Sequence, residues 1–324
     1  MAHPLITRRS LVRALGVVGA GGLLGAVAAC GAGPSSRTPS APASTADASG
    51  TAPQPADTLS PVDLASVPAY DYRAHDVAVV SQGESMDGRL YVPDTDAAVP
   101  LVVCSHGLGG SMSDLDPVAQ ALAGVGMASY CFAFRGGGPA AGDTTRMSVM
   151  TEVTDLEAVL ETARTGAGEW ESVDPQRIVL QGVSQGGAVS AITASRHPQE
   201  VAGLALWYPA FSIADDLHLL FDSLDEVPES YDMGPLSLGR VYVEDMWDYN
   251  VYAELPSYAS PVLLVHGSAD ALVPINYSRQ AVQTYPDAQL VTIDGAGHGF
   301  SEAAWDQAVG TTAAYLQQIG VLDA

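Results

Sequence analysis

From about residue 70 onward, the chain alternates between two hydrophobic rhythms. Short, unbroken apolar runs recur at 99–107 (VPLVVCSHG), 127–136 (MASYCFAFRG), 178–183 (IVLQGV), 201–209 (VAGLALWYP), 261–267 (PVLLVHG) and 289–293 (QLVTI). Runs of this length, bounded by Gly or Pro, predict strands buried on both faces. Between them lie segments with apolar residues three and four apart: 113–126, with Ser113 as a plausible cap, 149–164, 188–197, 275–285, and a last one from about Ser301. These predict helices. Upstream, HDVAVVSQ and GRLYVP predict two antiparallel strands joined through Met86-Asp87-Gly88. Strands alternating with helices place the chain in the α/β class, with a mainly parallel sheet covered on both faces.

One stretch breaks the alternation. Residues 209–261 carry no clear period, and so long an interruption inside a compact domain reads as a lid or cap. The insertion, at about 211–259, holds eleven acidic residues, Arg240 as its only basic one, and the aromatics Tyr242, Trp247, Tyr249 and Tyr252.

The N-terminus belongs to a different category. Arg8-Arg9, followed by an apolar run, reads as a twin-arginine export signal over 1–30. The run ends in Val27-Ala28-Ala29-Cys30-Gly31, which resembles a lipobox with Cys30 as the acylated residue; a plain signal-peptidase cut nearby is the alternative. Residues 31–62 are rich in Ala, Pro, Ser and Thr and read as a disordered tether. The folded domain is then 70–324. The expected location is the cell envelope, as a lipoprotein, or the medium, with any membrane attachment made through the lipid on Cys30.

Charge narrows the partners. The formal net charge is −24, and there is no lysine. Removal of Arg8, Arg9 and Arg13 with the signal leaves ten basic against 37 acidic residues, or −27. A surface this acidic repels nucleic acid and anionic headgroups. Cys104 and Cys131 sit inside apolar runs and read as buried free thiols, and no His or Cys spacing suggests a metal site.

The candidate chemistry lies at the ends of the apolar runs. Gly182-Val183-Ser184-Gln185-Gly186 follows one run and opens a helical segment, the pattern of a nucleophile elbow. A serine hydroxyl needs a base and a carboxylate that orients it. Ser268-Ala269-Asp270 follows the run ending at 267, and Gly297-His298-Gly299 follows the run ending at 293. Asp215 and Asp216 are alternative positions for the acid, and Asp294 reads as a loop cap. Oxyanion donors are expected at the amides of Gln185 and of Leu108, the latter in Ser105-His106-Gly107-Leu108-Gly109-Gly110. His106 and His266 read as structural. Tyr242, Trp247 and Asp215 are candidate substrate contacts in the insertion.

Together, HGLGGSMSDLDPVAQALAGVGMASYCFAFRG, GVSQGG, HGSADALVP and GAGHGF resemble the α/β-hydrolases that include cinnamoyl (feruloyl) esterases and prolyl-oligopeptidase-like hydrolases. The resemblance covers about 75–320. It implies a mostly parallel eight-stranded sheet flanked by helices, Ser184 as nucleophile, His298 as base, Asp270 as acid, no cofactor, and a small ester as substrate. The insertion is similar to the lid over an aromatic acyl group. The expected activity is that of a serine carboxylesterase on small or aromatic esters, with a prolyl-oligopeptidase-like peptidase or a non-catalytic binding protein as alternatives. Phe132-Ala133-Phe134-Arg135-Gly136-Gly137-Gly138 departs from the family's Phe-Asp-Phe-Arg-Gly-His-Gly, a loss of side chains beside the expected acyl pocket that bears on the natural substrate and not on the mechanism.

Overall fold

The computed structural model describes residues 59–323. The export signal, Cys30 and the stretch read as a tether as far as residue 58 lie outside the described residues. In chain order the elements are β1 (Tyr72–Asp76), β2 (Val79–Ser81), β3 (Glu84–Met86), β4 (Gly88–Pro93), β5 (Val99–Ser105), α1 (Asp116–Ala123), β6 (Ala128–Phe132), α2 (Val149–Arg164), β7 (Val173–Val183), α3 (Gln185–Arg196) and β8 (Gly203–Trp207). The insertion follows as α4 (Ile213–Leu220), β9 (Ser230–Met233), β10 (Leu236–Gly239) and α5 (Arg240–Met246). The chain closes with β11 (Val262–Gly267), α6 (Asn276–Thr284), β12 (Ala288–Ile293) and α7 (Glu302–Gln318).

Eight strands form one sheet in the order β1-β4-β6-β5-β7-β8-β11-β12. β4 pairs antiparallel with both its neighbours, and every other pairing in this sheet is parallel. Because side chains alternate along a strand, β5 sends Leu101 and Val103 to one face and Val102 and Cys104 to the other. The first face packs against α2, α3, α6 and the insertion; the second packs against α1 and α7. Cys104 and Cys131 are buried, free, and paired in register on β5 and β6.

Three details differ from the sequence expectations. β2 and β3 form their own hairpin, which turns at Gln82-Gly83 rather than at 86–88; both turn residues have positive φ (51° and 81°), as a two-residue hairpin loop requires. Ser113 does not cap α1, since it lies in a 3-10 turn over Met112–Asp114, and the helix opens at Asp116 with Leu115 at the cap position and Pro117 in its first turn. The chain also joins the fold before Tyr70. Leu59, Leu64 and Val67 pack on the face under α7, and the Val62 amide donates to Gly310 O at 3.1 Å.

The insertion is folded. Ile213, Leu217, Met233, Leu238, Tyr242, Val243 and Met246 bury themselves in the first-face core, drawn from four short elements whose phases differ, so no single period shows in the sequence. Its hairpin is pinned close to the body: Thr144 Oγ1 donates to Ser237 O at 2.6 Å, and a Cβ on Gly239 would lie 1.9 Å from Thr145 O. No helix among the described residues is long and apolar enough to cross a membrane.

Candidate active site

Ser184 sits between β7 and α3 with φ 52° and ψ −121°, a conformation that non-glycine residues rarely hold. The crowding that enforces the turn is backbone on backbone. A Cβ on Gly182 would lie 2.3 Å from Gly186 O, and one on Gly186 would lie 2.2 Å from Ser105 O and 2.4 Å from His106 O. A side chain on Gly182 would force β7 apart from the start of α3, and one on Gly186 would push the elbow away from the β5 end. The Ser184 amide donates to Trp207 O on β8, and Ser184 O accepts from Ala210 N just beyond it, so the end of β8 holds the serine up.

Three sequence candidates meet here. Ser184 Oγ lies 2.9 Å from His298 Nε2, and His298 Nδ1 lies 2.8 Å from Asp270 Oδ2. With Nδ1–H donating to the carboxylate, Nε2 is left to accept the serine proton. Asp270 Oδ1 takes the amides of Leu272 and Val273 at 2.9 Å each. Its Oδ2 also lies 3.2 Å from His266 Nε2, which in turn meets Val273 O, while His266 Nδ1 meets Ser278 Oγ. Burial pushes the Asp270 carboxyl up, but hydrogen bonds from His266 and His298, the His298 charge and the Val273 amide outweigh it and hold the group well below the usual carboxylate range. Asp270 is therefore an anion placed to orient an imidazole.

The alternative acids do not reach His298. Asp215 is exposed and accepts from Tyr277 O–H at 2.6 Å; Asp216 accepts from Ser212 Oγ at 2.8 Å. Asp294 takes the Ser268 hydroxyl at 2.8 Å, tying the loops after β11 and β12 together. His106 is buried, its Nδ1 donating to Gly107 O and its Nε2 accepting from Phe134 N. Burial lowers its pKa, which suits a neutral buttress.

Ser184 lies where two cavities meet. One is a slot of about 50 Å³ between the elbow and the insertion, lined by Leu108, Gln185, Ile213, Asp216, Leu217, Leu220, Met233 and Tyr242 among others. The other is a cleft of about 500 Å³, bordered by the Gly107–Gly110 loop, Pro139, Tyr208, His298, Phe300 and Trp305. Leu108 and Gln185 both flank Ser184, and among the described residues neither amide donates to a backbone carbonyl.

Of the candidate substrate contacts, Tyr242 reaches the slot. Trp247 does not: its ring lies tilted against that of His218 with centroids 3.9 Å apart, its carbonyl accepts from His218 Nε2, and the indole packs half-buried on the core away from the slot. Asp215 points to Tyr277, and its neighbour Asp216 lines the slot instead. Burial pushes Asp216 up to about 6, opposed by the Ser212 hydroxyl and reinforced by Asp215. The triple glycine at 136–138 does not border the slot either. It packs against the Gly107–Gly110 loop, where Gly137 O accepts from Gly109 N and a Cβ on Gly138 would lie 2.2 Å from Gly110 O.

Two site neighbours were not singled out in the sequence. Tyr208, at φ 37°, stands edge-on to His298 with ring centroids 4.7 Å apart; only its place beside the end of a predicted strand hinted at this. Glu152 lies buried beneath Gln185, and its signal was an acid on the apolar stripe of α2, between Val149 and Val153.

The family model described as "Serine aminopeptidase, S33" matches residues 96–231, and that described as "TAP-like protein" matches 245–322. An uncharacterised protein of Mycobacterium tuberculosis is 30% identical over 233 residues, covering 70% of this chain and 73% of its own. A monoacylglycerol lipase of Mycolicibacterium smegmatis is 25% identical over 245 residues, covering 64% of this chain and 84% of its own. Among solved structures, Est1E of Butyrivibrio proteoclasticus with ferulic acid bound superposes with a TM-score of 0.67 at 23% identity, over 75% of this chain and 99% of that one. The sheet order, the elbow between β7 and α3 and these matches agree: the chain is a hydrolase of the α/β-hydrolase superfamily, in the same family as the Mycobacterium tuberculosis protein.

Proposed function

We propose that the protein is a serine carboxylesterase that seats a compact acyl group in the slot and a larger alcohol in the cleft. The observation that carries this reading is the run of contacts Ser184–His298–Asp270, opening at Ser184 onto two unequal cavities. Ser184 attacks the ester carbonyl as its proton passes to His298 Nε2, and the amides of Leu108 and Gln185 receive the oxyanion. His298 then protonates the departing alcohol, so that oxygen must lie near Nε2, and His298 borders the cleft. The acyl group is left facing the slot under the insertion, and water admitted through the cleft releases it.

The monoacylglycerol lipase and the ferulic acid bound to Est1E among the similar proteins support ester chemistry and make a glyceride a candidate substrate and an aromatic acid a candidate product. A fluorophosphonate probe tests the nucleophile: labelling of the wild type at Ser184 is expected, and an unlabelled folded protein would overturn the assignment. A panel of p-nitrophenyl, glyceryl and hydroxycinnamoyl esters beside amino-acyl p-nitroanilides then separates esterase from peptidase. Export and lipidation at Cys30 complete the proposal. A Cys30→Ala variant should leave the membrane fraction, and its retention there would argue against the anchor.

A further inference from the structure

Gln185 stands at the junction of three elements. Its amide flanks Ser184, and its side chain is almost fully buried and bonded at both ends. Nε2 donates to Glu152 Oε2 on α2 at 2.9 Å, and Oε1 accepts from the Tyr242 hydroxyl on α5 of the insertion at 2.7 Å. The elbow is thereby tied both to the body and to the lid through one carboxamide. We propose that Glu152 is a positioning residue: by fixing the Gln185 side chain against Tyr242, it sets the amide that meets the oxyanion. This rests on the esterase reading above.

The surroundings of Glu152 point the same way. Its carboxyl is fully buried, no arginine bonds it among the described residues, and Oε1 has no hydrogen-bond partner. The groups that face it are few. Asp155 lies one turn along α2 and is occupied by Arg135 at 2.6 Å; His106 is kept neutral by burial; Tyr242 is held as the phenol by burial. A Cβ on Gly137 would lie 3.0 Å from Oε1 and 3.1 Å from His106 Cε1, so the glycine is what lets Oε1 sit beside the neutral His106 ring, while the Asp155 charge on the same helix opposes ionisation of Glu152. With nothing to balance a charge, burial pushes the Glu152 carboxyl up to about 8, and the neutral acid is the resting form. In that form it accepts from Gln185 and adds no charge near the developing oxyanion. Once ionised, it would place a negative charge one side chain below the oxyanion, where transition-state stabilisation is lost.

An amide in place of the acid can accept the same bond without ever ionising, whereas a leucine does not ionise but cannot accept the bond. The test is kcat and KM for a short-chain p-nitrophenyl ester from about pH 6 to about pH 10, on wild type, Glu152→Leu and Glu152→Gln. Glu152→Leu should lose about tenfold or more in kcat at neutral pH with KM within about twofold. Glu152→Gln should recover what leucine loses, and should not show the decline in kcat that the wild type shows as pH rises through about 8. If leucine does not fold, Tyr242→Phe removes the opposite anchor with little change of volume and should lower kcat in the same KM-neutral way. An unchanged kcat in Glu152→Leu, or an alkaline decline in Glu152→Gln that matches wild type, would overturn the proposal. Labelling at Ser184 keeps the two readings apart. A labelled wild type with unaltered variants overturns the role of Glu152 alone, while an unlabelled wild type overturns the esterase reading and this role with it.

Discussion

Asp270 Oδ2 faces two histidines, His298 Nδ1 at 2.8 Å and His266 Nε2 at 3.2 Å, and both rings approach from within the protein. His266 comes from the end of β11, four residues before Asp270, and its far nitrogen is held by Ser278 on α6. The orientation of the acid therefore depends on a histidine that does not itself reach Ser184. Replacing His266 by Leu removes a donor to the carboxylate and leaves Val273 O and the Ser278 hydroxyl without their partner. A hydrogen bond to a charged group contributes about 1.5–3 kcal/mol. The variant should lose about ten- to a hundredfold in kcat, with KM changed by less than about threefold. Steady-state kinetics on folded protein checks this, and an unaltered kcat would reduce His266 to core packing.

The elbow makes a sharper demand on volume. A methyl on Gly186 meets two carbonyl oxygens of the β5 end at 2.2 and 2.4 Å, and neither is a flexible side-chain tip. Gly186→Ala should therefore destabilise by about 3 kcal/mol or more, at the upper end of overpacking costs. It should also slow Ser184 labelling, because relief requires the elbow to move. Denaturant unfolding measures the first effect and probe kinetics the second. A methyl accommodated with less than about 1 kcal/mol lost would mean that the elbow is softer than its contacts imply.

The sheet and the catalytic candidates were legible in the sequence because the parallel strands are buried on both faces. Unbroken runs such as 99–105 and 262–267 admit no other reading at that length, and function in such a sheet gathers at the strand ends, where Ser184, Asp270 and His298 were found. The insertion was opaque for the opposite reason. Its four short elements each bury one to three residues at different phases, so Trp247 looked as near the site as Tyr242, and only tertiary packing sets the first against His218 instead of the slot. Asp215 and Asp216 are neighbours in sequence but on a helix point about 100° apart, which is enough to send one to Tyr277 and the other into the slot. Glu152 could be seen only as an acid out of place on an apolar stripe, since its partners come from α3 and α5.

Cavity size should set acyl preference. The slot holds about a tenth of the volume of the cleft, and Leu217, Leu220 and Met233 are part of its lining. In a p-nitrophenyl ester series, kcat/KM should peak at short acyl chains and fall beyond about four carbons, at roughly 1–3 kcal/mol for each poorly housed methylene. Leu220 is half-buried, so Leu220→Ala opens the slot at little cost in stability and should move the optimum to longer chains. Lengthening the alcohol, which the proposed mechanism seats in the cleft, should have no comparable effect. An optimum that stays in place in Leu220→Ala would reassign the acyl group to the cleft.

The charge of the insertion should act on encounter. With eleven acidic residues against Arg240 alone, an anionic ester meets a repulsive field at the entrance. Matched neutral and anionic esters should differ in kcat/KM by roughly tenfold at low salt, and the gap should narrow once the Debye length falls to about 8 Å near physiological ionic strength. Equal values at low salt would show that the acids lie too far from the path to matter.

Stability should respond to pH through Glu152, in a direction opposite to that of an ion-paired carboxylate. In the folded protein its carboxyl is raised from 4.5 to about 8 by burial. Between those two values the unfolded chain has released the proton while the folded chain keeps it. The folded state thus binds more protons, and the free energy of unfolding falls as pH rises across the window. Below about 4.5 both states are protonated and above about 8 both are ionised, so the effect is flat outside the window. Glu152→Gln carries no such proton, and the other titrating groups are common to both proteins and cancel in the difference. The gap in Tm between Glu152→Gln and wild type should therefore grow with pH from about 4.5 to about 8 and then level off, at about 2–4 °C for each kcal/mol in a domain of this size. Differential scanning calorimetry of the two proteins across that range decides it: a gap that stays constant with pH would mean that Glu152 titrates in the folded protein much as it does in the unfolded chain.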